Sequence, residues 1–128
     1  MSVRQFRLPL LVLLLPLGAA CTHELAFPVA PGERLRLVVR KGDAYCERAL
    51  VPGSSEYRTF QVWIRGNTRG WDAYLATDPS DGTAVSAADW QISFANGAAL
   101  ATTAQGMYLK SVNVQDYQYL TCPMNPGR

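Results

Sequence analysis

From residue 33 onward, apolar and polar positions alternate with a period of two, the pattern of half-buried strands. In Glu33 to Arg40 (ERLRLVVR), Leu35, Leu37 and Val39 share one face, and Arg34, Arg36, Val38 and Arg40 share the other. Lys41-Gly42-Asp43 reads as a turn into a second strand, Ala44 to Arg48. Arg58 to Arg65 (RTFQVWIR) alternates again, which predicts a strand with Phe60, Val62 and Ile64 inside and Gln61, Trp63 and Arg65 outside. After the loop 66–70, Trp71 to Thr77 (WDAYLAT) predicts another strand. Asp78-Pro79-Ser80-Asp81-Gly82 then makes a turn, because Pro fixes φ, Asp caps backbone donors and Gly tolerates positive φ. Thr83 to Ala88 suits one helical turn. Asp89 to Ala95 is a strand that places Trp90, Ile92 and Phe94 together, and Asn96-Gly97 predicts a two-residue type I′ hairpin. That register sets Phe94 opposite Ala99 and Ile92 opposite Ala101, large residues against small ones. Met107 to Val114 and Tyr117 to Cys122 supply the last two strands. The expected fold is all-β: a single antiparallel β-sandwich or partly closed barrel of seven to eight short strands, spanning residues 33–128.

The first twenty residues follow a different pattern. Arg4 and Arg7 precede the ten-residue apolar run Leu8 to Leu17, which is too short to cross a bilayer and contains Pro9 and Pro16. Small residues and then Cys21 follow, so residues 1–20 read as a signal peptide cleaved after Ala20. Leu17-Gly18-Ala19-Ala20-Cys21 resembles the bacterial lipobox, which implies a lipid such as palmitate on Cys21. Gly18-x-Ala20 also fits ordinary signal cleavage. Cysteine parity favours lipidation, since it leaves Cys46 and Cys122 as a pair in an oxidising compartment. Their disulfide would close a loop of about 76 residues, worth roughly 4 kcal/mol on the chain-entropy model. Thr22 follows the cysteine where an Asp would retain a lipoprotein at the inner membrane, so the expected location is the periplasm, anchored to the outer membrane. Residues 21–32, with Pro28, Pro31 and Gly32, read as a lipid-anchored tether, and His23 as an exposed tether residue without a chemical role.

The whole chain of 128 residues carries 12 basic and 10 acidic side chains, too little excess for a nucleic-acid binder that works by neutralising phosphates. Residues 22–128 hold ten of each sign, unevenly placed: residues 33–70 have eight basic against four acidic, and residues 71–127 one against five. The two halves either pair across one domain or leave a basic face for an acidic partner. One His and three Cys exclude a two-histidine metal site and a four-cysteine zinc site. The single His lies in the tether, so a nucleophile with a neighbouring imidazole base is not expected. The carboxylates show no spacing that points to glycoside hydrolysis or a calcium loop, and no Gly-rich phosphate cradle follows a strand. The chain therefore reads as a non-enzyme without cofactor or metal. Its candidate chemistry is a protein-binding surface. On strand alternation Trp63 and Arg65 face outward, as do Arg34, Arg36 and Arg40, and Trp and Arg dominate binding hot spots.

Leu35 to Arg65 (LRLVVRKGDAYCERALVPGSSEYRTFQVWIR) carries a resemblance to a known group. With Cys21 ahead of a first strand, Gly42-Asp43 before Cys46, and the alternating segment Tyr57 to Ile64, it resembles small periplasmic lipoproteins regarded as immunity proteins of type VI secretion systems. The resemblance covers about a third of residues 22–128. It implies a protein that binds and neutralises a toxin delivered to the periplasm, and it carries over no functional residues. The same features suit a structural or assembly accessory lipoprotein of an envelope secretion or pilus machine.

Overall fold

The computed structural model describes residues 22–75 and 81–124. The signal peptide, Cys21 and most of the expected turn 78–82 lie outside the described residues. Among the described residues, seven strands form one sheet in the order β2-β1-β4-β5-β6-β7-β3, and every pair is antiparallel. They are β1 (Leu35–Lys41), β2 (Ala44–Leu50), β3 (Asp72–Ala73), β4 (Gly82–Ser86), β5 (Gln91–Ala95), β6 (Ala98–Thr103) and β7 (Gly106–Ser111). The α-helix of the described residues, α1 (Ser55–Gly66), lies between β2 and β3 in the chain. The antiparallel β class and the strand count agree with the alternation in the sequence.

The register follows the alternation. Leu35, Leu37 and Val39 of β1 stand opposite Leu50, Arg48 and Cys46 of β2 on one side, and Leu37 faces Val85 of β4 on the other. Val85 pairs with Ile92, Ile92 with Ala101, and Phe94 with Ala99, which puts these side chains on one face of the sheet. The Asn96-Gly97 hairpin forms as expected. Both residues have positive φ, 51° and 76°, the pair of left-handed conformations that a type I′ turn requires. Thr83 to Ala88 does not form a helical turn. Gly82 to Ser86 is β4, held between β1 and β5.

The largest correction concerns residues 58–65. They are not a strand but the body of α1. Ser54 caps the helix: its side-chain oxygen accepts from the Tyr57 N–H at 3.2 Å. From the cap inward, Tyr57, Phe60, Trp63 and Ile64 are buried at helical spacing, while Val62 is 62% exposed. The alternation Phe60-Val62-Ile64 fits either period over so short a window. The cap and Tyr57, which lie before it, decide for the helix.

Helix α1 and two coil segments cover the apolar face, so the core is sandwiched between one sheet and this second layer. Phe60 stacks on Trp90 and meets Phe94 edge-on, with centroids 6.4 Å apart in both cases. The first coil segment is the expected tether, and it is part of the packed fold. Leu25 and Phe27 are buried, Phe27 lies edge-on to Trp71 and Trp90, and the Trp90 indole donates to the Pro28 carbonyl at 2.8 Å. His23 exchanges backbone hydrogen bonds with Trp71, at 2.7 and 3.3 Å, which adds a one-residue bridge beyond β3.

The second coil segment is the C-terminal stretch, which was expected to be a strand from Tyr117 to Cys122. Val114–Asp116 forms a 3-10 turn instead, and local bonds such as Leu120 N–H to the Tyr117 carbonyl at 3.0 Å continue the turning path. This path lays Tyr117 on Phe94, with centroids 4.9 Å apart, and buries Leu120 and Cys122. The strand expected from Trp71 shrinks to Asp72–Ala73, and its last residues fall outside the described ones.

Candidate functional site

Because side chains alternate across a strand, burial of Leu35 and Leu37 sends Arg34, Arg36 and Arg40 to the opposite, outer face of the sheet, where all three are exposed. The β1–β2 hairpin then builds a ladder on that face. Arg36 grips Glu47 with two hydrogen bonds, Nε to Oε2 at 2.5 Å and Nη2 to Oε1 at 3.1 Å. Tyr45 donates its hydroxyl to the same Glu47 at 2.5 Å. Arg40 lies over the Tyr45 ring, 5.0 Å from its centroid. Hydrogen bonds from Arg36 and Tyr45 hold the Glu47 carboxyl down at about 2.

Beside the ladder runs a groove of about 370 Å³ along the outer side of β4. Arg36 and Arg40 form one bank, Gln91 and Ser93 of β5 the other, and Ala84 and Ser86 contribute short side chains between them. Gly82 sits at its head with φ of 133°, and a Cβ there would meet the Phe94 carbonyl oxygen at 2.4 Å. Farther along the same face Ser93 and Leu100 are buried, so the exposed part is the β1–β2 end.

The five residues expected to share one binding face are not brought together. Trp63 is 8% exposed and belongs to the core, where it meets Phe94 edge-on at 5.2 Å and donates from Nε1 to Asp116 at 3.3 Å. Its expected place on a solvated strand is overturned because the segment is a helix, and burial of Tyr57, Phe60 and Ile64 turns Trp63 inward with them. Arg65 is exposed in the last turn of α1. The helix covers the apolar face of the sheet, so Arg65 is separated by the sheet from Arg34, Arg36 and Arg40. Only those three, from β1 and the residue before it, share a face.

Cys46 and Cys122 are disulfide-bonded, with Cα atoms 5.9 Å apart and a sequence separation of 76. Arg48, on the core face of the edge strand, reinforces this junction. It pairs with Glu56 of α1 at 2.8 Å and donates to the Thr121 carbonyl. The ion pairs among the described residues are Arg36–Glu47, Arg48–Glu56 and Arg69–Glu24, so none joins the basic stretch to the acidic residues after 71. His23 is exposed, as expected for its side chain, with its ring 5.2 Å from that of Tyr108.

Tyr45, Glu47 and Gln91 were not singled out from the sequence. The signal for the first two lay in the turn. Gly42-Asp43 as a two-residue connection pairs Lys41 with Ala44 and hence Arg40 with Tyr45. Among the described residues no group of three or more His, Cys, Asp or Glu side chains could hold a metal ion, and no helix is long and apolar enough to cross a membrane. No protein-family model, curated protein or solved structure matches the chain.

Proposed function

We propose that the chain is an exported lipoprotein of the bacterial envelope, acylated on Cys21 and held in the periplasm at the outer membrane, which acts by binding another protein and not by catalysis. In its most specific form the partner is a toxin delivered by a type VI secretion system, which the chain neutralises. One observation carries the reading: the exposed β1–β2 face, where Arg34 and Arg40 have no ion-pair partner among the described residues. Guanidinium groups make bidentate contacts to carboxylates, and a basic face steers an acidic partner into place. Glu47, already held by Arg36 and Tyr45, keeps the neighbouring side chains in fixed positions before a partner arrives.

A competition assay tests this reading. Deleting the gene should leave cells sensitive to killing by parental neighbours with an active secretion system, and wild-type protein should restore resistance. An Arg34→Glu/Arg40→Glu double variant with an unchanged unfolding midpoint should fail to restore it. Full survival of the deletion strain overturns the immunity reading. Rescue by the double variant overturns the arginine face.

A further inference from the structure

The groove along β4 is open because two long side chains lean away from it. Arg36 and Arg40 of β1 are long enough to fold over Gly82, Ala84 and Ser86, their neighbours on the outer face of β4. β2 draws them to the other side: Arg36 is bonded twice to Glu47, and Arg40 lies over the Tyr45 ring. Their stems form a bank, and β4 lies open from Gly82 to Ser86, about 13 Å at about 3.3 Å per residue. The opposite bank supplies polar groups. Ser93 is 9% exposed and points into the groove, since Ile92 and Phe94 face the core. Its oxygen accepts from the Gln91 amide at 3.2 Å. Among the described residues its proton has no acceptor, and the Gln91 carbonyl oxygen has no donor. Charge on this face is divided by position. Arg34 and Arg40, on the β1 side, form no ion pair among the described residues. The acids stand at the two ends: Asp81 lines the groove beyond Gly82 and accepts the Gly42 N–H at 3.1 Å, and Asp89 lies in the turn between β4 and β5.

We propose that the groove receives a short extended segment of a protein partner, with one peptide group bonded by Gln91 and Ser93 and an acidic side chain directed across the β1 bank to Arg40. The inference rests on the protein-binding reading above and deepens it by naming what the partner presents. Three features carry it. A nearly buried hydroxyl that lacks an acceptor, beside an amide oxygen that lacks a donor, is the complement of a peptide N–H and C=O. The open length of β4 matches about four or five residues of extended chain. The charges match a segment that carries its carboxylate at the middle and none at its ends, because Arg40 attracts it from the side while Asp81 and Asp89 repel it from either end. β4 is an interior strand whose backbone is already paired with β1 and β5, so the segment is held by side chains and does not add a strand to the sheet. Glu47 and Tyr45 act as positioning residues, keeping the bank upright before the partner arrives.

Calorimetric titration tests the groove directly. The full chain, made in a Gram-negative host with its own leader, is titrated with acetyl-Thr-Val-Asp-Val-Thr-amide, a strand-forming peptide with one central carboxylate and uncharged ends. The peptide should bind, and replacing its Asp by Asn, or Arg40 by Gln in the protein, should weaken binding severalfold. Ala84→Leu fills the floor and should abolish binding, and Ser93→Ala should weaken it severalfold, each at an unchanged unfolding midpoint. Arg65→Gln, on the far layer, should bind as the wild type does. Absence of binding, or equal binding by wild type, Ala84→Leu and Ser93→Ala, overturns the groove. The competition assay keeps this outcome apart from the fate of the immunity reading. If the deletion strain is sensitive and Ala84→Leu restores resistance, the groove falls and immunity stands. If the deletion strain survives while the peptide binds as described, immunity falls and the groove stands.

Discussion

The Trp63 indole is wedged among Phe60, Trp71 and Phe94, and its N–H reaches Asp116 in the C-terminal turn. Trp63→Ala should therefore lower stability by about 3–5 kcal/mol through the cavity it leaves, while affinity per folded molecule is unchanged. Urea unfolding and a titration of the surviving folded protein separate the two effects, and a loss of affinity at unchanged stability would contradict the core assignment. Glu47 and Tyr119 act at opposite ends of the pH scale. Glu47 is held at about 2 in the fold, below its unfolded value, so its contribution is present above about pH 4.5 and is lost as pH falls through 2. Tyr119 moves the other way: burial pushes its hydroxyl up to about 12, with the charges of Glu56 and Asp116 adding to the shift. Its contribution is complete below pH 10 and is lost as pH rises through 12. Its buried hydroxyl has no hydrogen-bond partner among the described residues. Tyr119→Phe should therefore raise stability by about 1 kcal/mol at neutral pH and lessen the alkaline loss, to which Tyr57, also raised by burial, contributes as well, read from unfolding midpoints at pH 7 and pH 11. An unchanged alkaline profile would show that another group titrates there.

At the scale of elements, legibility followed how strongly local chemistry constrains the backbone. The β5–β6 hairpin was readable to the residue because Asn96-Gly97 permits few alternatives and fixes the pairing of Phe94 with Ala99. β1 was readable because Leu35, Leu37 and Val39 alternate with Arg34, Arg36, Val38 and Arg40, a face on which three of four positions are charged. Helix α1 was hidden because Phe60, Val62 and Ile64 mimic a strand, and the deciding residues, Ser54 and Tyr57, lie at and before the margin of that window. The binding face suffered directly from this. A strand would have put Trp63 and Arg65 beside the β1 arginines, whereas a helix sends one into the core and the other to the far layer. The arginines of β1 survived because their placement depends on period two alone. The segment 22–32 misled in a different way. Pro28 and Pro31 rule out a regular element, but irregular chain can still pack, and Leu25 and Phe27 had the apolar character to do so. Tyr117 to Cys122 has the composition of a strand, and the turning path after Asn113 prevents one.

At the scale of the whole molecule, the sheet has one protected end and one tied end. The β3 end is extended by the His23 bridge. The β2 end is an edge that a charged side chain and a covalent link both guard. Arg48 projects from it toward the core side, a placement that disfavours pairing with another strand, and Cys46 joins it to the last described segment. The disulfide, the Arg48–Glu56 pair and the Arg48 contact to Thr121 act at one junction, holding β2, α1 and residues 120–122 together. Removing the link by a Cys46→Ser/Cys122→Ser double substitution should lower the free energy of unfolding by about 4 kcal/mol, because the unfolded chain regains the freedom of a loop of about 76 residues. Urea unfolding gives the magnitude, and amide exchange gives the place. Protection should fall first in β2 and in residues 117–122, before β5 and β6, because only the junction loses a direct constraint. Two free thiols in wild-type protein isolated from an oxidising compartment, or an unchanged midpoint in the double variant, would show that the junction is held by Arg48 and packing alone. The β1–β2 arginine face would then rest on a looser edge than the covalent link implies.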